Sequence, residues 1–340
     1  MTKRFHLSHL LPALWLLFML FACEKPEKVI NKPDKPNQGQ TVTPSNPNQT
    51  EDLPKVDVVV TTLQKATIGK GYNIILMGIG FTEEHIRSGI YDRLMKLSQQ
   101  YFFSVEPMNS LRFYFNVYAV RSKVEDIQMI LFANEFNEQE SQQSKYSSIA
   151  NSRARAMALS VPGFKKENSV TCVIVNSTAF WGYAYMDEPT LAYSAISSDS
   201  IYLQSLILHE AVGHCIGKLD DEYSSRSSCG SKDHVGKKQK DNWGMNTSLT
   251  NDPEKVPWAQ FLKDKRYASE DLGVYEGGAG CFKEGVWRPS KTSIMKSGSP
   301  NSIKFNAPSR RAIYDHVMQV TTGRTPTYEE FVQFDLAHKK

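Results

Sequence analysis

The sequence predicts an α/β fold: a twisted sheet with backing helices, a central helix, and an irregular C-terminal subdomain that ends in a helix. Three observations carry this. Apolar, β-branched runs alternate with helix-period runs between residues 71 and 197. A long apolar helical stretch, 198–217, follows the last of them. Beyond it the composition shifts to Ser, Gly, Lys and aromatics with little periodicity, until a final helical run at 307–321.

Residues 1–22 read as a secretory signal. Lys3 and Arg4 precede an apolar run over 10–22, shorter than the roughly 20 residues a membrane-spanning helix needs. "LFAC" resembles a bacterial lipobox, so Cys23 is expected to carry a lipid after cleavage; an ordinary signal cleaved nearby is the alternative. Residues 23–54, rich in Pro, Asn, Lys and Gln, read as a flexible tether. The expected location is therefore outside the cytoplasm, as a cell-envelope lipoprotein at the outer membrane or cell surface of a bacterium. The folded domain is expected over 55–335, with subdomains 55–217 and 218–335.

Within it, 71–82 is a buried strand and turn closed by glycines. Thr82 can cap a helix whose apolar face is Ile86, Ile90, Leu94 and Leu97. Residues 111–122 form a second strand, 137–158 a polar, partly helical stretch, and 169–177 a third strand that is apolar on both faces. Two short strands, 181–186 and 190–197, follow, and an edge strand is expected among them. Ser198 or Ser200 can cap the central helix, with Ile201, Leu208 and Val212 on one side.

The 340 residues are 40% hydrophobic, enough for a sizeable core, and the net charge is only +4. No Lys/Arg stripe with interleaved aromatics occurs, which argues against nucleic acid as a partner. No internal repeat is visible, and the sequence leaves the oligomeric state open. Of the five cysteines, Cys229 and Cys281 lie in Gly-containing loops and are the expected disulfide pair. Cys172, in a strand, and Cys215, in the central helix, read as buried thiols.

The central helix contains "HEAVGH". Two histidines four residues apart on a helix can share one zinc ion, with the intervening Glu as base. Here His209 and His214 are five apart. At about 100° per residue they would diverge by roughly 140° on a regular helix. A π-bulge absorbs the extra residue, and Gly213 stands where that distortion is expected. In this short stretch the sequence resembles the zinc motif of dipeptidyl-peptidase III. The continuation "HCIGKLD" is His-x-x-Gly-x-x-Asp. In metzincin proteases the glycine, here Gly217, permits a sharp turn before the third ligand, here Asp220 by spacing. Met295, in "TSIMKSG", matches the methionine that floors a metzincin metal site.

Taken together, "GYNIILMGIGFT", "FNVYAVRS", "HEAVGHCIGKLDDEY", "YEGGAGCFKEGVWRPSKTSIM" and "FNAPSRRAIYDHV" resemble the bacterial IgA-specific metalloendopeptidase family over about residues 70–320. That resemblance implies a metzincin-like zinc endopeptidase. It carries His209 and His214 over as ligands and Glu210 as general base, and its shared "DEY" tail makes Asp221 a rival to Asp220. Members usually have regular His-Glu-x-x-His spacing, and Gly-Asp-Gly where this chain has Gly78-Ile79-Gly80. Tyr223 and Tyr275 are the candidate hydroxyl donors to a tetrahedral oxyanion. The expected cofactor is Zn2+ and the expected partner a protein or peptide substrate. A non-catalytic surface lipoprotein binding protein or glycan, and a zinc amidase acting on cell-wall peptides, are the alternatives. His234 and His316 have no ligand partner in sequence.

Overall fold

The computed structural model describes residues 55–123, 133, 147–178, 181–185, 190–196, 200–226, 229–297 and 303–339. The apolar N-terminal run, Cys23, the tether and Ser198 lie outside the described residues. Six strands form the main sheet: β1 (Val58–Gln64), β2 (Tyr72–Ile79), β3 (Phe115–Ser122), β4 (Ser169–Val175), β5 (Gly182–Tyr185) and β6 (Thr190–Ala195). Their order is β1-β3-β2-β4-β6-β5. The four inner strands are parallel, and both edge strands run antiparallel to their neighbours.

The alternation in β2 shows why its sequence is a continuous apolar run. Tyr72, Ile74 and Leu76 enter the core on one face, and Ile75, Met77 and Ile79 the core on the other. The second face is covered by the helix Ser147–Ala158 through Ala150, Ala154 and Met157. The first is covered by the helices Ile90–Phe102 and Ala307–Thr322 and by the central helix.

Several expectations need correction. The predicted helix after Thr82 is broken at Ser88–Gly89, where Gly89 has φ +72°. Thr82 does cap its first part, accepting from the amide of His85. In the second part Tyr91, Met95, Ser98 and Phe102 form the buried face, and Ile90 is exposed. Of the predicted stripe, Ile86 and Leu94 pack against the core from its margin, while Ile90, just past the break at Gly89, is turned outward. β1 was not anticipated; its half-exposed "VVVTTLQ" pattern is that of an edge strand. The region after residue 224 holds a two-stranded hairpin, β7 (Leu272–Gly278) and β8 (Phe282–Ser290), whose register shifts and glycines hide the period-two signal. The Ala307–Thr322 helix does not end the fold. A further helix, Tyr328–His338, follows, started by a Thr327–Glu330 capping box.

These last two helices are joined by a buried ionic cluster. Arg310 donates from Nε to Asp335 Oδ1 at 2.7 Å and from Nη2 to Asp335 Oδ2 at 2.8 Å. A third contact, 2.7 Å, runs to Glu270 Oε1. Asp335 is 1% exposed. Removing one partner of such a pair strands a buried charge and costs about 3–5 kcal/mol. We expect Asp335→Ala to lower the unfolding free energy by about that amount in urea titration, and the pair Arg310→Met with Asp335→Leu to recover most of it.

Candidate metal centre

The central helix starts as α-helix over Ser200–Leu206 and continues as π-helix over Ile207–Ile216. The widened bonding extends past its end, where the Gly217 amide donates to Val212 O at 2.8 Å. Closing the turn at i→i+5 brings residues five apart onto one face, so His209 and His214 meet. Their ring centroids are 4.8 Å apart with planes at 85°. The segment is buried throughout, and its apolar residues pack on the sheet. That packing offsets the poorer hydrogen-bond geometry of a π-helix.

Three residues come together here. Asp221 Oδ1 lies 3.0 Å from His209 Nε2 and 3.2 Å from His214 Nε2. The candidate ligand atoms of His209, His214 and Asp221 all lie within 4.8 Å of one another. The outer nitrogens fix the tautomers. His209 Nδ1 is 2.9 Å from Ile294 O, and His214 Nδ1 is 2.8 Å from Leu219 O. A carbonyl only accepts, so each Nδ1 must carry the proton and donate. In the neutral rings both Nε2 atoms then present lone pairs to a carboxylate oxygen. That arrangement is repulsive unless a cation stands between them, either a proton on each ring or a metal ion. The donor set therefore fits a divalent metal.

Burial pulls His214 down, but Asp221 outweighs it and lifts the imidazole to about 9. Burial would raise Asp221, yet His214 and His209 hold it well below the usual carboxylate range. Glu210, 4.0 Å from His214 Nε2, is raised by burial against the pull of both imidazoles.

The neighbouring acids have other partners. Asp220 accepts from Lys238 Nζ at 2.6 Å and Thr247 Oγ1 at 3.3 Å, so the position favoured by spacing points away from the imidazoles. Glu222 accepts from Asn246, Ser293 and Asn306. Met295 is fully buried, and a Cβ at Gly213 would come within 2.3 Å of its Sδ. Gly213 thus makes room for Met295 as well as sitting in the π turn. Gly217 plays a different part from the one expected. Its φ of −78° is ordinary, and the left-handed residue at the turn is Lys218, at φ 53°. What Gly217 supplies is space, since a Cβ there would lie 2.8 Å from Ile313 Cγ1.

Tyr223 stacks beside His209, with centroids 6.3 Å apart. Tyr275 is placed elsewhere: its hydroxyl donates to Asp271 at the base of the hairpin, at 2.7 Å. Two residues near the site carried no sequence signal. Arg226 donates from Nη2 to Asp221 Oδ2 at 2.6 Å and lies 3.0 Å from the Tyr223 hydroxyl. Gly182 of β5 lies against Glu210, where a Cβ would be 2.9 Å from Glu210 Cγ. Cys229 and Cys281 form a disulfide, while Cys172 and Cys215 are buried free thiols. His316 is half-buried with its ring edge-on to Tyr72, and burial, with Lys218 adding to it, lowers it to about 4.

These shifts predict how the stability of the chain without metal depends on pH. His214 is raised above the ~6.5 of an unfolded chain, so its stabilising contribution is complete below that pH and lost as pH climbs through about 9. Asp221 is lowered, so its contribution is complete above about pH 4 and lost in stronger acid. Urea titrations of the metal-free chain across this range are expected to show the stabilisation between those limits. Asp221→Asn should weaken the dependence at both ends, leaving the separate loss in acid that comes from His316.

No curated protein matches the chain. The sequence model of the family described as IgA Peptidase M64 matches residues 62–268, which include the end of β1, β2 through β6, the whole π-helical segment and Asp221. With the histidines and the carboxylate it converges on inside that match, this chain belongs to the IgA peptidase M64 family and is a metallopeptidase.

Proposed function

We propose that this chain is an exported zinc endopeptidase in which His209, His214 and Asp221 hold the ion and Glu210 is the general base. The observation that carries the reading is the pair of Nε2 lone pairs converging with Asp221 Oδ1 in a chain of a peptidase family. Two imidazoles and a carboxylate are donors that zinc accepts, and three protein donors are the usual number at a catalytic zinc. When bound, zinc supplies Lewis acidity toward a water and the scissile carbonyl.

The remaining chemistry belongs to the protein. Glu210 follows His209 directly, and its carboxylate lies beside His214. Burial raises its pKa, which brings it toward the range where a base both takes and returns a proton near neutrality. In this role it accepts a proton from the attacking water and delivers it to the leaving amine. Tyr223, adjacent to His209, is the proposed donor to the oxyanion. Tyr275 is not part of this proposal, because its hydroxyl is engaged by Asp271.

β5 is the sheet edge next to Glu210, and it runs antiparallel to β6. An extended substrate added to that edge would pass over the general base. The substrate class is protein or peptide, as for a peptidase; the fold is proposed to be metzincin-like, with Met295 as the floor of the site.

Export through the 1–22 signal, lipid attachment at Cys23 and the 23–54 tether complete the proposal. A disulfide between Cys229 and Cys281 suits an oxidising compartment.

The test compares wild type with Glu210→Gln for zinc content and for cleavage of casein and a panel of other proteins. We expect one zinc per chain in both proteins, and a loss of about 10²–10⁴-fold in cleavage rate for the variant. A variant that also loses zinc would contradict the base assignment. A zinc-loaded wild type that cleaves nothing in the panel would favour the non-catalytic binder.

A further inference from the structure

We propose that Arg226 is a positioning residue that reserves Oδ2 of Asp221, so that this carboxylate offers one oxygen, Oδ1, to the ion, and that the Cys229–Cys281 disulfide keeps Arg226 in place. The proposal rests on the reading of His209, His214 and Asp221 as metal ligands.

The two oxygens of Asp221 have different surroundings. Oδ1 faces both imidazoles, and Oδ2 accepts from Arg226 Nη2 at 2.6 Å. A carboxylate free on both sides can swing to present either oxygen or both. Tying one oxygen to a guanidinium fixes its rotation, and charged bonds of this kind are short and directional. The same Nη2 lies 3.0 Å from the Tyr223 hydroxyl, and the guanidinium carbon sits 5.6 Å from that ring's centroid. One cation therefore orients both a candidate ligand and the tyrosine beside His209.

Arg226 cannot hold that place by its own burial. Its side chain is 58% exposed, whereas that of Asp221 is 6% exposed. An ion pair reaching out to water contributes little to stability, so the contact is better explained by orientation. What restrains Arg226 is the hairpin turn. Its amide donates to Gly280 O at 3.0 Å. Its guanidinium lies over Gly280, where a Cβ would come within 3.2 Å of Arg226 Cζ. Gly280 has φ +80°, a conformation that glycine adopts without strain. The next residue, Cys281, is bonded to Cys229, with Cα atoms 5.6 Å apart across a sequence separation of 52. The disulfide thus fastens the loop that carries Arg226 to the turn against which Arg226 packs.

The test measures zinc affinity by competition with a chromophoric chelator. It uses wild type, Arg226→Ala, Arg226→Lys, the double variant Cys229→Ser/Cys281→Ser, and the triple variant combining Arg226→Ala with both serines. Circular dichroism and thermal melts establish that each chain is folded. Outer partners of metal ligands are commonly worth about 10–100-fold in affinity. We expect a loss of that size in Arg226→Ala, a several-fold rescue by lysine, and a loss in the serine pair. The triple variant should be no weaker than Arg226→Ala within about 2-fold, because contacts acting through one another are not additive. X-ray absorption should show an added oxygen neighbour at zinc in Arg226→Ala, as Oδ2 is released.

Unchanged affinity and coordination in Arg226→Ala would overturn the role of Arg226. Additive losses in the triple variant would overturn the role of the disulfide. A wild type that binds no zinc would instead overturn the metal reading itself.

Discussion

The arrangement on which the rest of this structure depends is electrostatic. Two imidazoles, each with its Nδ1 proton committed to a carbonyl, turn their remaining nitrogens on the same carboxylate oxygen. The carbonyls come from Leu219, just past the central helix, and from Ile294, far along the chain beside Met295. Cooperation among these three segments makes sense only if something positive occupies the point they share. A regular helix would separate the imidazoles by roughly 140°. The π-helical segment is thus the geometric condition for the site, and its sheet-facing apolar residues supply the burial that sustains it.

Glu222 shows how the remoter pieces are held in register. It is fully buried and accepts from Asn246, Ser293 and Asn306. Ser293 leads into the Met295 turn, and Asn306 caps the Ala307–Thr322 helix, accepting from the Ser309 amide. The Glu222 amide donates to Met295 O at 2.8 Å. One residue, Glu222, therefore joins the loop after Asp221, the turn that carries Met295 and the start of the Ala307–Thr322 helix. Burial raises its pKa against the pull of these neutral donors. Such a group is stable only when fully hydrogen-bonded, because a lost donor leaves a buried acceptor unsatisfied.

Much of this was legible in the sequence where the signal was local. The parallel strands appear as apolar runs because both their faces are buried, as in β2 and β4. The odd histidine spacing pointed to a widened turn because helix geometry allows few other ways for the two rings to meet. What stayed hidden depends on contacts between distant segments. Gly217 looked like a turn residue but is a packing residue, since only the fold brings Ile313 against it. Arg226 has no periodic or motif signal; its role arises from a hairpin turn more than fifty residues later in the chain. The β7–β8 hairpin was masked by glycines and register shifts that break alternation. Gly89 divided a helix that the apolar spacing had joined.

The run Asp220-Asp221-Glu222 shows why counting residues alone could not choose the third member of the cluster. Three consecutive acids would repel one another if they shared an environment. The fold separates them by alternation, as successive side chains do along an extended chain. Asp220 and Glu222 turn to the same side, toward the loop of Asn246 and Thr247. Asn246 bridges them, accepting from the Asp220 amide, donating to the Asp220 carbonyl and donating to Glu222 Oε1. Lys238 balances Asp220, while neutral amides and a hydroxyl satisfy Glu222. Asp221 alone faces the imidazoles. A spacing rule taken from a helix with four-residue histidine separation lands on Asp220. Here the wider turn and the left-handed Lys218 change where the chain emerges, and the side-to-side parity of the following residues settles which carboxylate reaches the site.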